Sequence, residues 1–411
     1  MVAEYFVRIR GMFQHDDAAE LGPDLRRLRR DLHRAPEIGL HLPRTQERVL
    51  AALDGLPLDV TTGERLSSVT AVLRGGGPGP SVLLRADMDA LPVQEDTGLD
   101  YASRVAGAMH ACGHDLHVAG LVGAARLLAD RRHRLAGDVV LMFQPGEEGY
   151  GGAPIMIEEG VLDASGSRPV AAYALHVFST MLPAGIIGTR PGTLLAASDS
   201  FDVTIRGAGG HGSAPHTTRD PVPAMAEMIT ALQTRVARAV NVFDPAVVTV
   251  GSAHAGSARN VIPETARLEG TVRTFSEKTR HDVRDIVVET IEGIARAHRV
   301  EVDIDYRFVY PVTHNTASEA AFALETAVEL FGGDRAFEAP QPLSGSEDFS
   351  FVLGEVGGAM LGLSACPADR DPATAPMNHA PQAAFDDVVL PDAALLLASL
   401  AARRLAKAAA A

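Results

Sequence analysis

Lysine is almost absent from this chain of 411 residues. Of its 37 basic residues only Lys278 and Lys407 are lysines, and the others are arginines. Mechanisms that depend on lysine, such as Schiff-base chemistry or a phosphate-binding loop with its lysine, therefore have almost no candidate residue. The chain must carry its chemistry on other side chains.

Cysteine, positive charge and long apolar runs are also scarce. The two cysteines, Cys112 and Cys366, predict a reducing, cytosolic environment. The formal net charge of −15 argues against nucleic acid and anionic membranes as partners, because both attract basic surfaces. No window holds the ~20 apolar residues of a membrane-spanning helix, and no secretory signal follows Arg8 and Arg10. We therefore expect a soluble cytoplasmic protein.

What the sequence does contain is a series of short, continuous apolar runs. Five of them lie at residues 69–73, 82–86, 139–143, 170–175 and 359–363. Such runs are typical of strands buried on both faces, and helical stretches such as 116–129 separate them. This alternation predicts an α/β domain with a mainly parallel sheet. Ligands bind beyond the carboxyl ends of such strands, where Asp87, Glu147, Glu148 and His176 lie.

The pattern changes after residue 197 to β-α-β-β-α-β, the order of a ferredoxin-like unit. The predicted elements are an alternating strand from Phe201, helix 221–240, strands 246–253 and 265–273, a helix capped by Ser276, and strand 300–306. We assign residues 198–309 to a small inserted domain. Residues 1–197 and 310–411 then form one discontinuous domain.

Cys112 and His114 place a thiol and an imidazole two residues apart, just before a long apolar helix. Sulfur and nitrogen donors together suit Zn²⁺ or a neighbouring transition metal. Two other interpretations are open: a buried structural thiol, or a nucleophilic cysteine with a histidine base. Side chains two residues apart often diverge too far to touch, whereas a metal can accept both. His117 is expected to support the site rather than to bind metal.

Two ligands cannot close a metal site, and further candidates follow other strands. Glu147 and Glu148 are adjacent in a loop, so one carboxylate can hold a metal while the other faces the attacking water. His176 and His379 could supply nitrogen. Each of these residues alone has an ordinary structural explanation, but together they predict a two-metal hydrolase.

Five spaced motifs resemble those of the aminoacylase-like amidohydrolases, a branch of the co-catalytic metallopeptidases that contains hippurate hydrolases and plant auxin-conjugate hydrolases. The motifs are RADMDALP at 85–92, CGHD at 112–115, QPGEEG at 144–149, LHV at 175–177 and HGSAPH at 211–216. The resemblance extends from about Leu25 to the final helix. It implies a metal-binding α/β domain interrupted by a lid domain through which the protein forms a homodimer.

The resemblance also implies roles for individual residues around two divalent ions, for which Zn²⁺, Mn²⁺, Co²⁺ and Ni²⁺ are all candidates. The implied metal ligands are Cys112, His114, Glu148, His176 and His379. Cys112 would bridge the ions, Glu147 would be the general base and Asp87 would orient a ligand. Arg85 stands where related peptidases have a metal-binding histidine, and His114 would replace that ligand.

On the inserted domain, His211 and Asn260 match residues that meet the substrate in this family. His211 would stabilise the tetrahedral oxyanion from the partner subunit. Arg273 could hold a substrate carboxylate, although a salt-bridged strand arginine is an equal alternative. The glycines at 207–210 lack the third glycine and the following helix of a dinucleotide site, so we interpret them as a flexible loop that carries His211.

The sequence therefore predicts a dinuclear-metal amidohydrolase that splits an N-acyl amino acid into a carboxylic acid and a free amino acid. A dipeptidase or carboxypeptidase with the same centre is the nearest alternative. A catalytically silent, metal-dependent binding or scaffolding protein is the alternative from another class.

Overall fold

A computed structural model describes residues 11–410 of the chain, so Arg8 and Arg10 lie outside it. The described residues form nine α-helices: α1 His15–His33, α2 Pro43–Leu53, α3 His114–Asp130, α4 Gly152–Glu158, α5 Pro221–Ala239, α6 Glu277–His298, α7 Ala317–Phe331, α8 Phe349–Val356 and α9 Leu390–Ala409. None of these helices, all within residues 11–410, combines the length and the apolar character needed to cross a membrane.

The same residues form sixteen β-strands. They are β1 Leu58–Thr62, β2 Val69–Leu73, β3 Ser81–Asp87, β4 Asp138–Gln144, β5 Ala172–Pro183, β6 Ile187–Thr189, β7 Gly192–Leu195, β8 Ala197–Arg206, β9 Gly210–His211, β10 Ala246–Ala255, β11 Val261–Ile262, β12 Thr265–Thr274, β13 Glu301–Tyr310, β14 Thr313–Asn315, β15 Ala336–Glu338 and β16 Gly358–Cys366.

The larger of two compact units contains the chain up to Leu194, His314–Gln341 and the chain from Phe351 onward. Its sheet has the strand order β1-β2-β4-β3-β5-β16-β6-β15. The four central strands, β4, β3, β5 and β16, are parallel to one another. Antiparallel pairs occur between β1 and β2, β2 and β4, and β16 and β6. The predicted α/β domain with a mainly parallel sheet is confirmed.

Helices α3 and α9 pack closely beside this sheet because small residues face one another. A Cβ atom added at Gly123 would lie only 2.6 Å from the Cβ of Ala394. Nearly every residue of α3 is buried, as expected of a helix that is apolar on all sides. This packing fixes the position of the first turn of α3, which begins at His114.

The smaller unit contains Leu195–Thr313 and Pro342–Ser350. Its antiparallel sheet has the order β10-β12-β8-β13, and α5 and α6 complete the β-α-β-β-α-β sequence of a ferredoxin-like fold. The predicted fold of the insertion is confirmed. Alternate residues of β8 are buried, as the period-two pattern from Phe201 indicated. The segment Pro342–Ser350 was placed in the larger domain by the sequence, whereas it clusters with the smaller unit. The lid function of that unit stays a prediction.

Candidate metal centre

The turn before α3 places Cys112 and His114 at one buried point. Gly113 has φ +83°, in the left-handed region that glycine adopts without strain. A Cβ atom there would lie 2.4 Å from Cγ2 of Val177 on β5. Glycine is therefore required both by the backbone turn and by the close approach of the neighbouring strand.

Two histidines from distant parts of the chain reach the Cys112 thiol. The sulfur lies 3.4 Å from Nε2 of His176 and 3.2 Å from Nε2 of His379. Ligand atoms of Cys112, His114 and His176 all lie within 4.8 Å of one another, and the same holds for Cys112, Glu148 and His379. The larger unit thus contains two groups of potential metal ligands that share one sulfur atom.

Glu147 and Glu148 lie in the loop after β4, and a single carboxylate holds their backbone. Asp89 accepts the N–H of Glu147 and the N–H of Glu148, each at 3.0 Å. Glu148 Oε1 lies 3.3 Å from Nε2 of His379 and 3.9 Å from Nε2 of His114. A carboxylate oxygen of the buried Glu147 belongs to the group within 4.8 Å that also contains His114 and Glu148. The predicted base and the predicted ligand therefore lie at the same centre.

Asp87 ends β3 and is held from two sides. Arg85 donates to Oδ2 at 2.7 Å and His117 donates from Nδ1 to Oδ1 at 2.5 Å. His114 Nε2 lies 3.5 Å from Asp87 Oδ2. The other nitrogen of His117 accepts the backbone N–H of Val177 at 2.8 Å. Because both its nitrogens are occupied, His117 positions Asp87 and has no lone pair to offer a metal.

The electrostatic surroundings of His114 and His176 differ. Burial alone would lower the pKa of His114, but the charge of Asp87 and a hydrogen bond with Asp89 raise it well above the ordinary value. Burial and the neighbouring His117 lower the pKa of His176 well below the ordinary value. His176 is therefore neutral, as a metal ligand must be, whereas His114 would release a proton on binding metal.

His379 and Glu148 form a polarised pair on the same centre. Hydrogen bonds with Cys112 and with Glu148 raise the pKa of His379 to about 10. Burial alone would raise the pKa of Glu148, but the hydrogen bond from His379 and the charge of His114 lower it. The carboxylate is therefore already ionised, in the state that binds a cation.

The atoms of this centre fit a bound cation. Both ring nitrogens of His114 and Oε1 of Glu148 are buried, and their contacts at 3.3–3.9 Å do not form hydrogen bonds of good geometry. An unpartnered buried polar atom costs about 1–3 kcal/mol, so a folded protein rarely keeps several together without a function. The donor set of thiolate, imidazole and carboxylate suits borderline divalent metals such as Zn²⁺, Mn²⁺, Co²⁺ and Ni²⁺.

His379 has a backbone conformation that is uncommon for a residue other than glycine. Its φ is +73°, and its N–H donates to the carbonyl of Ala111 at 2.8 Å. Residues held in the left-handed region cluster at functional sites, where the surrounding structure fixes them. The hydrogen bond to Ala111 ties the His379 loop to the residue next to Cys112.

Asn378 holds the same loop in place, a role that residue type and spacing did not predict. Its Nδ2 donates to the carbonyl of Val177 at 3.0 Å and to that of Cys112 at 3.3 Å, while Oδ1 accepts the N–H of Ser179 at 2.9 Å. Asp89 was missed in the same way, although it lies in the RADMDALP motif. Both act on backbone groups, which leave no trace in residue spacing.

Within the smaller unit, His211 and Asn260 lie side by side. Strand β9 pairs with β11, and the N–H of Gly212 donates to the carbonyl of Asn260 at 2.9 Å. His211 Nδ1 accepts the backbone N–H of Ser213 at 3.1 Å, so the neutral ring carries its proton on Nε2. Both side chains are exposed. His211 therefore presents an N–H donor at the surface of this unit.

Arg273 is not brought to these two residues within the smaller unit. It lies eight residues along β12 from Thr265, which pairs with Arg206 where the chain enters the His211 loop. At about 3.3 Å per residue, Arg273 is about 26 Å from that end of the strand. The structure thus separates Arg273 from His211 and Asn260 along a single chain.

The contacts of Arg273 do not show the salt-bridged alternative. Its guanidinium is half-buried and donates to the carbonyl of Val272 at 3.1 Å. Among residues 11–410, no carboxylate pairs with it, since Asp199 pairs with Arg280 at 2.7 Å. Burial lowers the pKa of Arg273, and the charge of Asp199 only partly offsets this.

The larger unit gathers thiol, imidazole and carboxylate groups beyond the strands of a mainly parallel sheet, and a ferredoxin-like unit interrupts its sequence. These features define the class of metal-dependent hydrolases. Comparison with known families agrees. Residues 83–403 match the profile of Peptidase family M20/M25/M40, and the chain belongs to this family of hydrolases.

Named relatives cover nearly the whole chain. Thermostable carboxypeptidase 1 of Saccharolobus solfataricus is 33% identical over 392 residues, 94% of this chain and 97% of the relative. Hippurate hydrolase of Campylobacter jejuni is 37% identical over 332 residues, 81% of this chain and 85% of the relative. A solved Bacillus subtilis structure, described as a dinuclear metal binding peptidase of the M20 family, is 32% identical with a TM-score of 0.80, covering 94% of this chain and 99% of that one.

These comparisons confirm the resemblance stated from the motifs. They establish the family, its hydrolase character and the fold. The groups of potential metal ligands are a feature of this chain itself.

Proposed function

We propose that the protein hydrolyses the amide bond of N-acyl amino acids, releasing a carboxylic acid and a free amino acid. One observation carries this proposal: two groups of potential metal ligands share Cys112, and the carboxylate of Glu147 lies at the same buried centre. A relative that is 37% identical is a hippurate hydrolase, which supports an acylated amino acid as the substrate class.

Five side chains would hold two divalent ions: Cys112, His114, Glu148, His176 and His379. When bound, such ions polarise an amide carbonyl and lower the pKa of water from 15.7 to about 7. Zn²⁺, Mn²⁺, Co²⁺ and Ni²⁺ all suit the mixed donor set. Asp87, held by Arg85 and His117, keeps His114 in place from behind.

Glu147 would act as the general base. Its backbone is fixed by Asp89, so the carboxylate is aimed before the substrate arrives. Glu147 takes a proton from the attacking water and passes it to the amide nitrogen as the C–N bond breaks, a contribution of about 10²–10⁴ in rate. His211 of the partner subunit would donate its Nε2–H to the developing oxyanion, and Asn260 of the partner subunit, beside it, would contact the substrate. Arg273 would hold the substrate carboxylate.

The contribution of a partner residue requires a homodimer through the smaller unit, and its surface supports this. Strand β10 lies at the edge of the four-stranded sheet. Val247 on this strand and Phe243 just before it are 54% and 92% exposed. An edge strand with exposed apolar side chains is prone to pair with a second chain.

A carboxypeptidase is the second candidate, because a relative with that name is 33% identical over 94% of the chain. Both reactions break an amide bond next to a free carboxylate and would use the same centre. Initial rates on a panel of N-acyl amino acids and of peptides, with each divalent metal added back after chelation, would distinguish them. No metal-restored hydrolysis on either panel would favour the silent scaffold.

Glu147→Gln tests the base directly. We expect kcat to fall by about 10²–10⁴, with the melting temperature and the bound metal content unchanged, because the amide keeps the shape but accepts no proton. Elemental analysis measures the metal and steady-state kinetics the turnover. Glu158→Gln, an exposed glutamate of α4, is the matched control and should behave as wild type. Wild-type turnover in Glu147→Gln would falsify the assigned base.

A further inference from the structure

Arginine side chains line a cavity in the larger unit. It has a volume of about 370 Å³ and lies where the end of α1, helix α2 and the loop around residue 104 meet. Arg34, Arg44, Arg48 and Arg104 all line it. None of these residues belongs to the groups of potential metal ligands, so the cavity is separate from the proposed catalytic centre.

The positions of these arginines are fixed by backbone contacts. The N–H of Arg104 donates to the carbonyl of Arg34 at 2.9 Å, which ties the loop to α1. The guanidinium of Arg48 donates to the carbonyl of Arg44 at 3.2 Å, one turn earlier on α2. These contacts hold the backbone of Arg104 against the end of α1 and the side chain of Arg48 beside the backbone of Arg44.

The charge of the cluster is only half compensated. Arg34 pairs with Asp31 at 3.0 Å and Arg44 pairs with Glu37 at 3.1 Å. Within the described part of the chain, no carboxylate pairs with Arg48 or Arg104. Two positive charges thus remain uncompensated around one cavity, in a chain whose formal net charge is −15.

One guanidinium nitrogen of these four arginines makes no hydrogen bond. Nε of Arg34 is buried and makes no hydrogen bond. A buried donor without a partner is costly, and like charges gathered without a counterion repel one another. Arg44 and Arg104 are exposed, so an anion that enters the cavity can reach their guanidinium groups.

We propose that this cavity binds a phosphate-bearing small anion. A phosphate dianion would neutralise the two remaining charges and accept the paired N–H groups that a guanidinium presents. The volume lies in the range of small-molecule sites and exceeds what a bare phosphate needs, so an ester of phosphate fits as well. The proposal is independent of the function proposed above.

Chemical protection would locate the site. Phenylglyoxal modification of the full-length protein, followed by peptide mass spectrometry, should show Arg48 and Arg104 protected several-fold by inorganic phosphate. Arg132 and Arg206, which are exposed and lie elsewhere, should react equally with and without phosphate. Equal protection at all four positions, or at none of them, overturns the proposal.

Calorimetry would measure the affinity. Titration with inorganic phosphate should show at least about tenfold weaker binding at this site for the double variant R48A/R104A than for wild type. The matched double variant R132A/R206A removes the same charge and should bind as wild type. Phosphate that binds at the metal centre is unaffected by either pair. Wild-type affinity in R48A/R104A overturns the proposal.

Two further ligands define the chemistry. Glycerol phosphate binding more tightly than inorganic phosphate would assign the site to phosphate esters, and the reverse order would assign it to free phosphate. Malonate, a dicarboxylate of the same charge, should bind at least about tenfold more weakly than either. Malonate binding as tightly as phosphate would overturn the assignment to phosphate.

Discussion

At the scale of individual residues, the carboxylate of Asp89 sets the geometry of the centre. Asp89 is buried and uses one oxygen for the N–H of Glu147 and the other for that of Glu148. It also lies 3.5 Å from Nδ1 of His114. The loop after β3 thereby fixes the loop after β4, and the base and a metal ligand are oriented by the same group.

We predict that Asp89→Asn lowers kcat/KM or metal affinity by about 10- to 100-fold, the usual effect of removing a group that supports metal ligands. The amide keeps one acceptor oxygen, but its NH₂ group would face a backbone N–H. Steady-state kinetics and metal titration measure the two effects. Asp54→Asn, an exposed aspartate, is the control. Unchanged turnover together with unchanged metal affinity would show that the centre does not need the hydrogen bonds between Asp89 and the loop of Glu147 and Glu148.

Residue types and spacing could predict the groups that offer side-chain atoms to a metal. Cys112, His114 and His176 are of this kind, and the structure places their ligand atoms together. Asp89 and Asn378 could not be predicted, because they bind backbone N–H and C=O groups that every residue has. Only the folded chain shows which backbone groups lie beside them.

At the scale of elements, a buried ionic network joins α1 to the first turn of α3. Asp115 follows His114, and its Oδ2 lies 2.8 Å from Nε of Arg29 and 2.7 Å from Nδ1 of His33. Burial alone would raise the pKa of Asp115, but the charge of Arg29 lowers it below the ordinary value. The helix that carries His114 is therefore anchored by an ionised carboxylate.

We predict that Asp115→Asn lowers the free energy of unfolding by about 3 kcal/mol at neutral pH, because Arg29 stays buried with one partner fewer. The pKa of Asp115 is lower in the folded state than in the unfolded state. Its stabilisation is therefore complete above about pH 4, near the unfolded pKa, and is lost as the pH falls through the folded value. Urea unfolding at neutral and acidic pH measures both effects.

The matched control is Asp130→Asn, an exposed aspartate at the end of the same helix. Its unfolding free energy should equal that of wild type at neutral pH. The difference between wild type and Asp115→Asn should shrink as the solution is acidified. A difference that stays constant with pH would mean that packing rather than charge carries the effect.

Periodicity predicted the elements that are buried and missed those at the edges. The central strands are continuous apolar runs, and β2 has the bounds that its run indicated. The short strands β6 and β15 have no such run, since three residues are too few to show a period. The sequence pattern indicates a helix over residues 24–34, whereas α1 starts at His15, because its polar first turns, with Pro23 inside, follow no apolar pattern.

At the scale of the whole molecule, the proposed oxyanion donor belongs to one unit and the proposed base to the other. His211 lies on the ferredoxin-like unit, whereas Glu147 lies on the α/β unit. If His211 acts on the partner's centre, two inactive variants can restore each other. A mixed dimer of Glu147→Gln with His211→Ala would contain one intact centre.

We predict that the two variants, each nearly inactive alone, regain about a quarter of wild-type activity when their subunits are mixed in equal amounts, as random assortment in a twofold dimer requires. Coexpression produces the mixture, sedimentation measures the dimer, and hydrolysis of an N-acyl amino acid measures the activity. The control mixture of Glu147→Gln with Glu148→Gln carries both changes on the α/β unit and should regain nothing. Activity no greater than the sum of the separate variants would place His211 outside the partner's centre.

The sequence predicted the family and the inserted fold, because motifs and periods are local. It could not predict that Pro342–Ser350 clusters with the smaller unit, since this segment contains no helix or strand pattern and is placed by contacts distant in the chain. The sequence also could not predict that Arg273 lies apart from His211 and Asn260, because this separation depends on strand register.

The sulfur of Cys112 belongs to both ligand groups, so two ions held there would not bind independently of each other. Binding of a first ion would release the thiol proton to solvent, and a second ion would then meet a thiolate, so the two ions should bind cooperatively. The sharing also makes the centre sensitive to oxidation, because oxidation of the Cys112 sulfur would remove a ligand from both groups at once.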